Sequence, residues 1–115
     1  LGSDDIMDPW YSLGTANLLS PAYMAVHVSQ MTGREQVMAC YDMVTKNAAR
    51  TLHIENRYGI EVGKPADFIV VDAPNKWDAV RTLAQTTLVV KAGKVVAEST
   101  PAAHSLRGEK IAFYK

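Results

Sequence analysis

Within residues 47–73, NAARTLHIENRYGIEVGKPADFIVVDA, the apolar pattern of the chain switches from helical to extended. Residues 46–52 continue a helical stretch, and Thr45 is a candidate cap for it. Gly59 and the run Gly63 to Pro65 then supply turn chemistry. Phe68, Ile69, Val70 and Val71 follow as four consecutive apolar residues, three of them β-branched, which suits a buried strand. The chain is therefore helical first and β second, with a boundary near residues 55–57.

Upstream of this switch, residues 12–52 predict three consecutive helices with short joints. Leu18, Leu19, Tyr23 and Val26 recur at helical steps, with His27 and Met31 extending the same face, and Ser20 followed by Pro21 reads as an N-cap and first helical position. Thr32 and Gly33 stop that helix. Residues 34–44 carry Val37, Met38, Cys40, Tyr41 and Val44 on one stripe, a second helix. Downstream, TTLVVKAGKVVAEST (residues 86–100) sets β-branched runs on either side of Ala92-Gly93, where Gly93 can take the positive φ of a bulged hairpin turn. Strands are expected at 87–91 and 94–98, and residues 77–83 form a helical turn or two or a connector. Beyond Pro101 the chain is polar, with a short edge strand expected at 111–114.

The N-terminal stretch LGSDDIMDPW (residues 1–10) places Asp4, Asp5 and Asp8 where Leu1 to Ser3 resemble the end of a strand spilling into a loop. Carboxylates at the carboxyl end of a buried strand are a usual place for metal or substrate chemistry. The same residues also serve as turn openers and caps, and spacing alone leaves both readings open.

Composition narrows the rest. Of 115 residues 48% are hydrophobic, enough for a packed core, and 12 basic and 12 acidic side chains cancel to a formal charge of zero. That balance argues against a nucleic-acid or anionic-membrane partner and for a small molecule or a protein. No apolar run approaches the ~20 residues of a membrane span and no leader pattern is present, so a cytoplasmic protein is expected. Cys40 is the one cysteine, which excludes an internal disulfide and a CxxC metal site and reads as a buried structural thiol. Three amphipathic helices after a strand stub have little to pack on, and three or four short strands make a small sheet. Each half therefore looks unfinished, which predicts intimate oligomerisation or membership in something larger.

Taken together, GSDDIMDPWYSLGTANLL, NAARTLHIENRYGIEVGKPADFIVVDA and VVKAGKVVA resemble the C-terminal portion of the amidohydrolase superfamily, and the first segment looks like its bacterial cytosine deaminase branch. The resemblance implies an α+β fragment: the last strand end and closing helices of a (β/α)8 metal-dependent hydrolase barrel, followed by the C-terminal part of a small β-sandwich domain. Residues 1–55 would be the barrel end, the strand-8 loop plus helices, and 56–115 the share of the composite sandwich. The implied activity is hydrolytic deamination of cytosine to uracil and ammonia. Asp4 would touch the catalytic metal and its bound water and act as general base, Asp5 would face the pyrimidine, Trp10 would line the pocket, and Asp8-Pro9 would shape the loop. The implied cofactor is one divalent metal ion, iron or zinc.

This sequence departs from the family in lacking its H-x-H pair. His27, His53 and His104 are widely separated and match no family ligand, and a catalytic metal generally needs about three protein ligands. The isolated chain is therefore expected to be inactive and to bind no metal, with the N-terminal part of the barrel as its missing partner. Helix faces carrying Leu18, Val26, Val37 and Val44 would lie open without that barrel, which predicts a homo-oligomer. Two alternatives remain at this level: a non-catalytic structural or oligomerisation module, and a related amidohydrolase acting on another cyclic amidine or a triazine.

Overall fold

The structure is a computed structural model, and it describes residues 1–4, 6 and 8–111. Three helices come first, α1 (Leu19–Val28), α2 (Arg34–Met43) and α3 (Lys46–Thr51). Strand β1 (Phe68–Val71), a short helix α4 (Lys76–Arg81), and strands β2 (Thr86–Lys91) and β3 (Lys94–Glu98) follow. A two-stranded ribbon, β4 (Ser105–Leu106) with β5 (Glu109–Lys110), ends the described chain. No helix among the described residues is long and apolar enough to cross a membrane.

The core is a triangle of α1, α2 and α4. Leu19, Ala22 and Val26 of α1 meet Val37, Cys40 and Val44 from α2 and its C-cap, and Ala79, Val80 and Ala84 close the third side. Val26, Val37 and Val44 are thus buried within the chain, because α4 arrives from the later part of the sequence and covers them. The expectation that these faces lie open does not hold, and of the four residues named for it only Leu18 is exposed. Cys40 is fully buried and burial pushes its thiol up from the usual value, which makes it an inert packing group.

Polar contacts tie the triangle at its corners. The guanidinium groups of Arg34 and Arg81 lie 5.1 and 4.8 Å from the Trp77 ring centroid. Asn75 caps α4 by accepting the Asp78 N–H at 3.0 Å, and Asp78 in turn accepts from Arg81 at 2.7 and 3.1 Å. The Arg81 hydrogen bonds hold the Asp78 carboxyl below the usual carboxylate range against the opposing effect of burial. Asp42 pairs with Lys46 at 2.9 Å and with Lys76 at 3.3 Å, joining α2 to the start of α4. Burial pushes its carboxyl up, but the two lysines outweigh it and the net shift is downward.

Helix ends differ from the sequence reading in instructive ways. α1 begins at Leu19 and not after Ser20, because the Asn17 side-chain oxygen accepts the Leu19 N–H at 3.0 Å and Pro21 falls inside the first turn. Residues 12–18 are non-helical. Gly33 does not stop α1; it precedes α2, and its N–H is held by the Gln36 side-chain oxygen at 2.9 Å. The stop is a Schellman pair, Gln30 N–H to His27 carbonyl and Met31 N–H to Val26 carbonyl, with Gln30 itself at positive φ. α3 and α4 end the same way on His53 and Leu83. Thr45 precedes α3 but spends its hydroxyl on the Tyr41 carbonyl.

The sheet is antiparallel in the order β1-β2-β3. Ala92 and Gly93, at φ +49° and +74°, make a two-residue turn of the kind that matches strand twist. The bulge falls beyond the turn: Val89 pairs with Ala97 and Val90 with Val95, so Val96 is the extra residue. Asp67 pins this turn to the start of β1. Its carboxylate accepts the Ala92 N–H at 2.7 Å and pairs with Lys91, while the Gly93 N–H reaches the Ala66 carbonyl at 3.0 Å. The Ala92 N–H first, then Lys91, hold the Asp67 carboxyl below the usual range. The β4–β5 ribbon was not expected from the polar C-terminal sequence. The strand expected at 111–114 is not seen at Ile111, which lies outside any strand and donates to the His104 carbonyl, and residues 112–114 are outside the described residues.

Candidate active site

The described residues ahead of α1, 1–4, 6 and 8–18, lie outside any helix or strand, and one aspartate ties the middle of this stretch together. The Asp8 side-chain oxygen accepts the N–H groups of Trp10 at 2.8 Å and Tyr11 at 2.9 Å, while the Asp8 N–H donates to the Tyr11 carbonyl at 3.1 Å. This Asx-type turn, with Pro9 fixing φ at its first corner, closes the chain on itself and leaves the Trp10 side chain 90% exposed. Gly14, at φ +105°, and Ala16, at φ +58°, then turn the backbone toward Asn17 and the start of α1. A Cβ at Gly14 would meet Ile6 at 3.6 Å, ordinary contact, so its positive φ and not crowding calls for glycine there.

The described part of the loop and the first turns of α1 border an open hollow of about 530 Å³ whose lining includes Asp4, Trp10, Thr15, Asn17, Ser20 and Met24. The volume lies in the ~300–1,000 Å³ range of small-molecule sites. A carboxylate can accept a proton, an indole face can stack on a planar ring, and hydroxyl and amide groups can read a polar ring edge. The two described residues singled out in the sequence, Asp4 and Trp10, thus line one cavity; Asp5 is outside the described residues. Thr15, Ser20 and Met24 were not anticipated there. Ser20 and Met24 are four apart and off the buried stripe of Leu19, Ala22 and Val26, a spacing that puts them together on a second face of α1.

The histidines lie elsewhere. His27 sits at the end of α1 edge-on to Tyr23, with ring centroids 4.5 Å apart, His53 finishes α3, and His104 offers its carbonyl to Ile111. Among the described residues no three His, Cys, Asp or Glu side chains converge. Asp4 is the one carboxylate of a described residue lining this cavity.

A second cavity, about 450 Å³, opens between the helices and the sheet and is lined mainly by apolar residues, among them Leu18, Tyr41, Val44, Phe68 and Val90. Asn17, Tyr41, Thr45, Tyr58 and Asp67 supply its polar groups.

Known proteins share this architecture. N-isopropylammelide isopropyl amidohydrolase from Pseudomonas sp. (strain ADP) is 31% identical over 94 residues, 82% of this chain and 23% of that protein. The crystal structure of 5-methylcytosine deaminase from Klebsiella pneumoniae liganded with phosphonocytosine superposes with a TM-score of 0.80 at 35% identity, covering 90% of this chain and 25% of that one. N-isopropylammelide isopropylaminohydrolase from Burkholderia multivorans ATCC 17616 gives a TM-score of 0.73 at 29% identity, covering 81% and 24%. The chain thus spans about a quarter of the length of the relatives it matches. The sequence profile described as amidohydrolase family matches residues 1–97, most of the chain. On that match and the likeness of the solved relatives, this chain belongs to the amidohydrolase family.

Proposed function

We propose that this chain is the C-terminal part of a hydrolytic deaminase acting on a planar nitrogen heterocycle, with cytosine as the favoured substrate. In this reading residues 1–55 complete a (β/α)8 barrel and residues 56–115 contribute to a β-sandwich. The observation that carries the proposal is the cavity shared by Asp4 and Trp10, on a chain 35% identical to a 5-methylcytosine deaminase. The Trp10 indole stacks on the ring, Asp5 hydrogen-bonds its polar edge, and the Asp4 carboxylate takes a proton from the attacking water. The water oxygen bonds to the ring carbon bearing the exocyclic amine, and that amine leaves as ammonia. The acid that protonates the ring comes from a part of the enzyme outside this chain.

Amidohydrolases generally use a divalent metal, which supplies activated water near neutral pH. Asp4 offers one donor toward it, and the other ligands belong to the rest of the barrel.

Ammonia release by the full-length, metal-loaded enzyme tests the proposal. Cytosine turnover is expected, with a loss of about a hundredfold or more in kcat for Asp4→Asn, the usual scale for removing a positioned acid or base. Retention of activity by Asp4→Asn would remove the aspartate from the chemistry. The relationship to N-isopropylammelide hydrolases favours a second reading, a triazine substrate, and N-isopropylammelide tried beside cytosine decides between them, with release of isopropylamine, not ammonia, as its readout.

A further inference from the structure

Of the three aspartates in residues 1–8, the structure describes Asp4 and Asp8, and it puts them to different work. Asp4 lines the hollow together with Trp10, whereas Asp8 is not among the residues that line it. One Asp8 side-chain oxygen instead accepts the backbone N–H groups of Trp10 at 2.8 Å and Tyr11 at 2.9 Å, and the Tyr11 carbonyl accepts the Asp8 N–H at 3.1 Å. These bonds all fall within residues 8–11. The turn is thus set locally, by the Asp8 side chain and the fixed φ of Pro9, and not by whatever covers the hollow.

Trp10 needs such a hold. Its indole is 90% exposed, so side-chain packing among the described residues does little to place it. What this chain fixes is the Trp10 backbone, and with it the direction of the Cα–Cβ bond that aims the indole. Resting on the reading that Trp10 stacks on a planar nitrogen heterocycle, we infer that Asp8 is the positioning residue for that stack: its carboxylate serves as a hydrogen-bond acceptor that presents Trp10, and its charge takes no part in the proton transfer assigned to Asp4. The two aspartates are then separable by chemistry. A proton acceptor cannot be replaced by an amide, because a neutral amide does not take a proton near neutral pH. A turn acceptor can, because the asparagine side-chain oxygen makes the same turn.

The test uses the full-length, metal-loaded enzyme with cytosine, read as ammonia release, and N-isopropylammelide, read as isopropylamine release, and follows whichever is turned over. Asp8→Ala is expected to raise KM about tenfold, the lower end for losing an aromatic stack on a heterocyclic base. Its kcat should change by less than about threefold, because the stack holds the ring and does not touch the reacting atoms. Asp8→Asn is expected to bring KM back to within about twofold of wild type. In a Trp10→Ala background, where KM is already raised, adding Asp8→Ala should produce no further rise, the signature of a residue that acts through Trp10. A purely structural role for Asp8 would raise KM by the same factor in both backgrounds, and that result overturns the inference. So does an Asp8→Asn enzyme whose kcat falls as far as that of Asp4→Asn, since the charge is then what matters, and so does an Asp8→Ala enzyme with wild-type kinetics. If Asp8→Ala does not fold, Asp8→Ser, whose hydroxyl makes the same turn more weakly, takes its place in the same cycle with a smaller rise in KM. Each of these failures leaves the deaminase reading standing, whereas a wild-type enzyme that turns over neither ring overturns both.

Discussion

Val80 and Val95 are the same side chain in two regions of this chain, yet Val80 is fully buried where α1, α2 and α4 meet, while Val95 stands 58% exposed on β3. The helical region buries a core of its own, although Met24, Val28 and Leu52 stay exposed on it. Every residue of β3 is exposed, and so are Ile60 and Val62 in the loop before β1. The radius of gyration, 15.7 Å, exceeds the ~13 Å of a compact domain of this length, as a chain with one closed and one open region must. The site belongs to neither: its loop borrows a wall from the closed region, the first turns of α1, and leaves Trp10 in the open. The difference separates what holds the chain together from what is available to be covered.

The strongest test of that division places one carboxylate in each region. Val80→Asp puts an unpaired charge where no solvent reaches, a class of change that costs more than about 4 kcal/mol and is expected to abolish cooperative unfolding by urea. Val95→Asp, at an exposed strand position, should stay within about 0.5 kcal/mol of wild type in the same circular-dichroism titration. Equal losses would mean that β3 is part of one cooperative unit with the helices, and the division would fail.

A smaller effect separates the two regions by pH. Asp42 ties α2 to α4 and Asp67 ties the hairpin turn to β1, and both carboxyls lie below their usual range. A carboxylate depressed in the folded state stabilises above its unfolded pKa of ~3.9, and that contribution is lost as pH falls through the lower folded value. Global stability is therefore expected to be level above about pH 5 and to fall below about pH 4. Asp42→Asn should make that acid limb shallower in urea titrations, because it acts on the closed core, with Asp78 carrying the remainder. Asp67→Asn should leave the limb in place and instead speed hydrogen exchange at the Ala92 and Gly93 amides. A shallower limb in both variants would show the hairpin coupled to the core.

Which parts were legible in the sequence follows from how local their causes are. Phe68 to Val71 and the strands around Ala92-Gly93 declare themselves through neighbours, and the structure places strands at 68–71, 86–91 and 94–98. α2 is likewise readable from its stripe of Val37, Cys40 and Val44. The start of α1 was misread because Ser20-Pro21 is a strong local signal that Asn17 outcompetes only after Gly14 and Ala16 turn the loop. The end of α1 was misread because Gln30, a residue with no left-handed preference, takes the position glycine usually fills. Asp67 carried no local sign of its task, since Lys91 and Ala92 lie 24 and 25 residues away. At the site, Asp4 and Trp10 were named through resemblance, whereas Ser20 and Met24 needed the cavity to be seen. The burial of Val26, Val37 and Val44 depended on α4, whose role as the third wall no periodicity announces.

The smallest effect concerns the turn itself. Ala92 sits at φ +49° and pays for the absence of a residue suited to the left-handed region, where a Cβ costs roughly 1 kcal/mol. Asparagine tolerates that region and, ahead of glycine, makes the preferred two-residue hairpin turn. Ala92→Asn keeps the backbone N–H that Asp67 accepts, so nothing that pins the hairpin is lost. A gain of about 0.5 kcal/mol is expected, and its location is the informative part. If the open region unfolds on its own, the gain appears as slower exchange of the β2 and β3 amides with the urea midpoint of the helices unchanged. If the midpoint rises as well, the hairpin contributes to the cooperative unit after all, and the contrast between Val80 and Val95 is one of exposure alone.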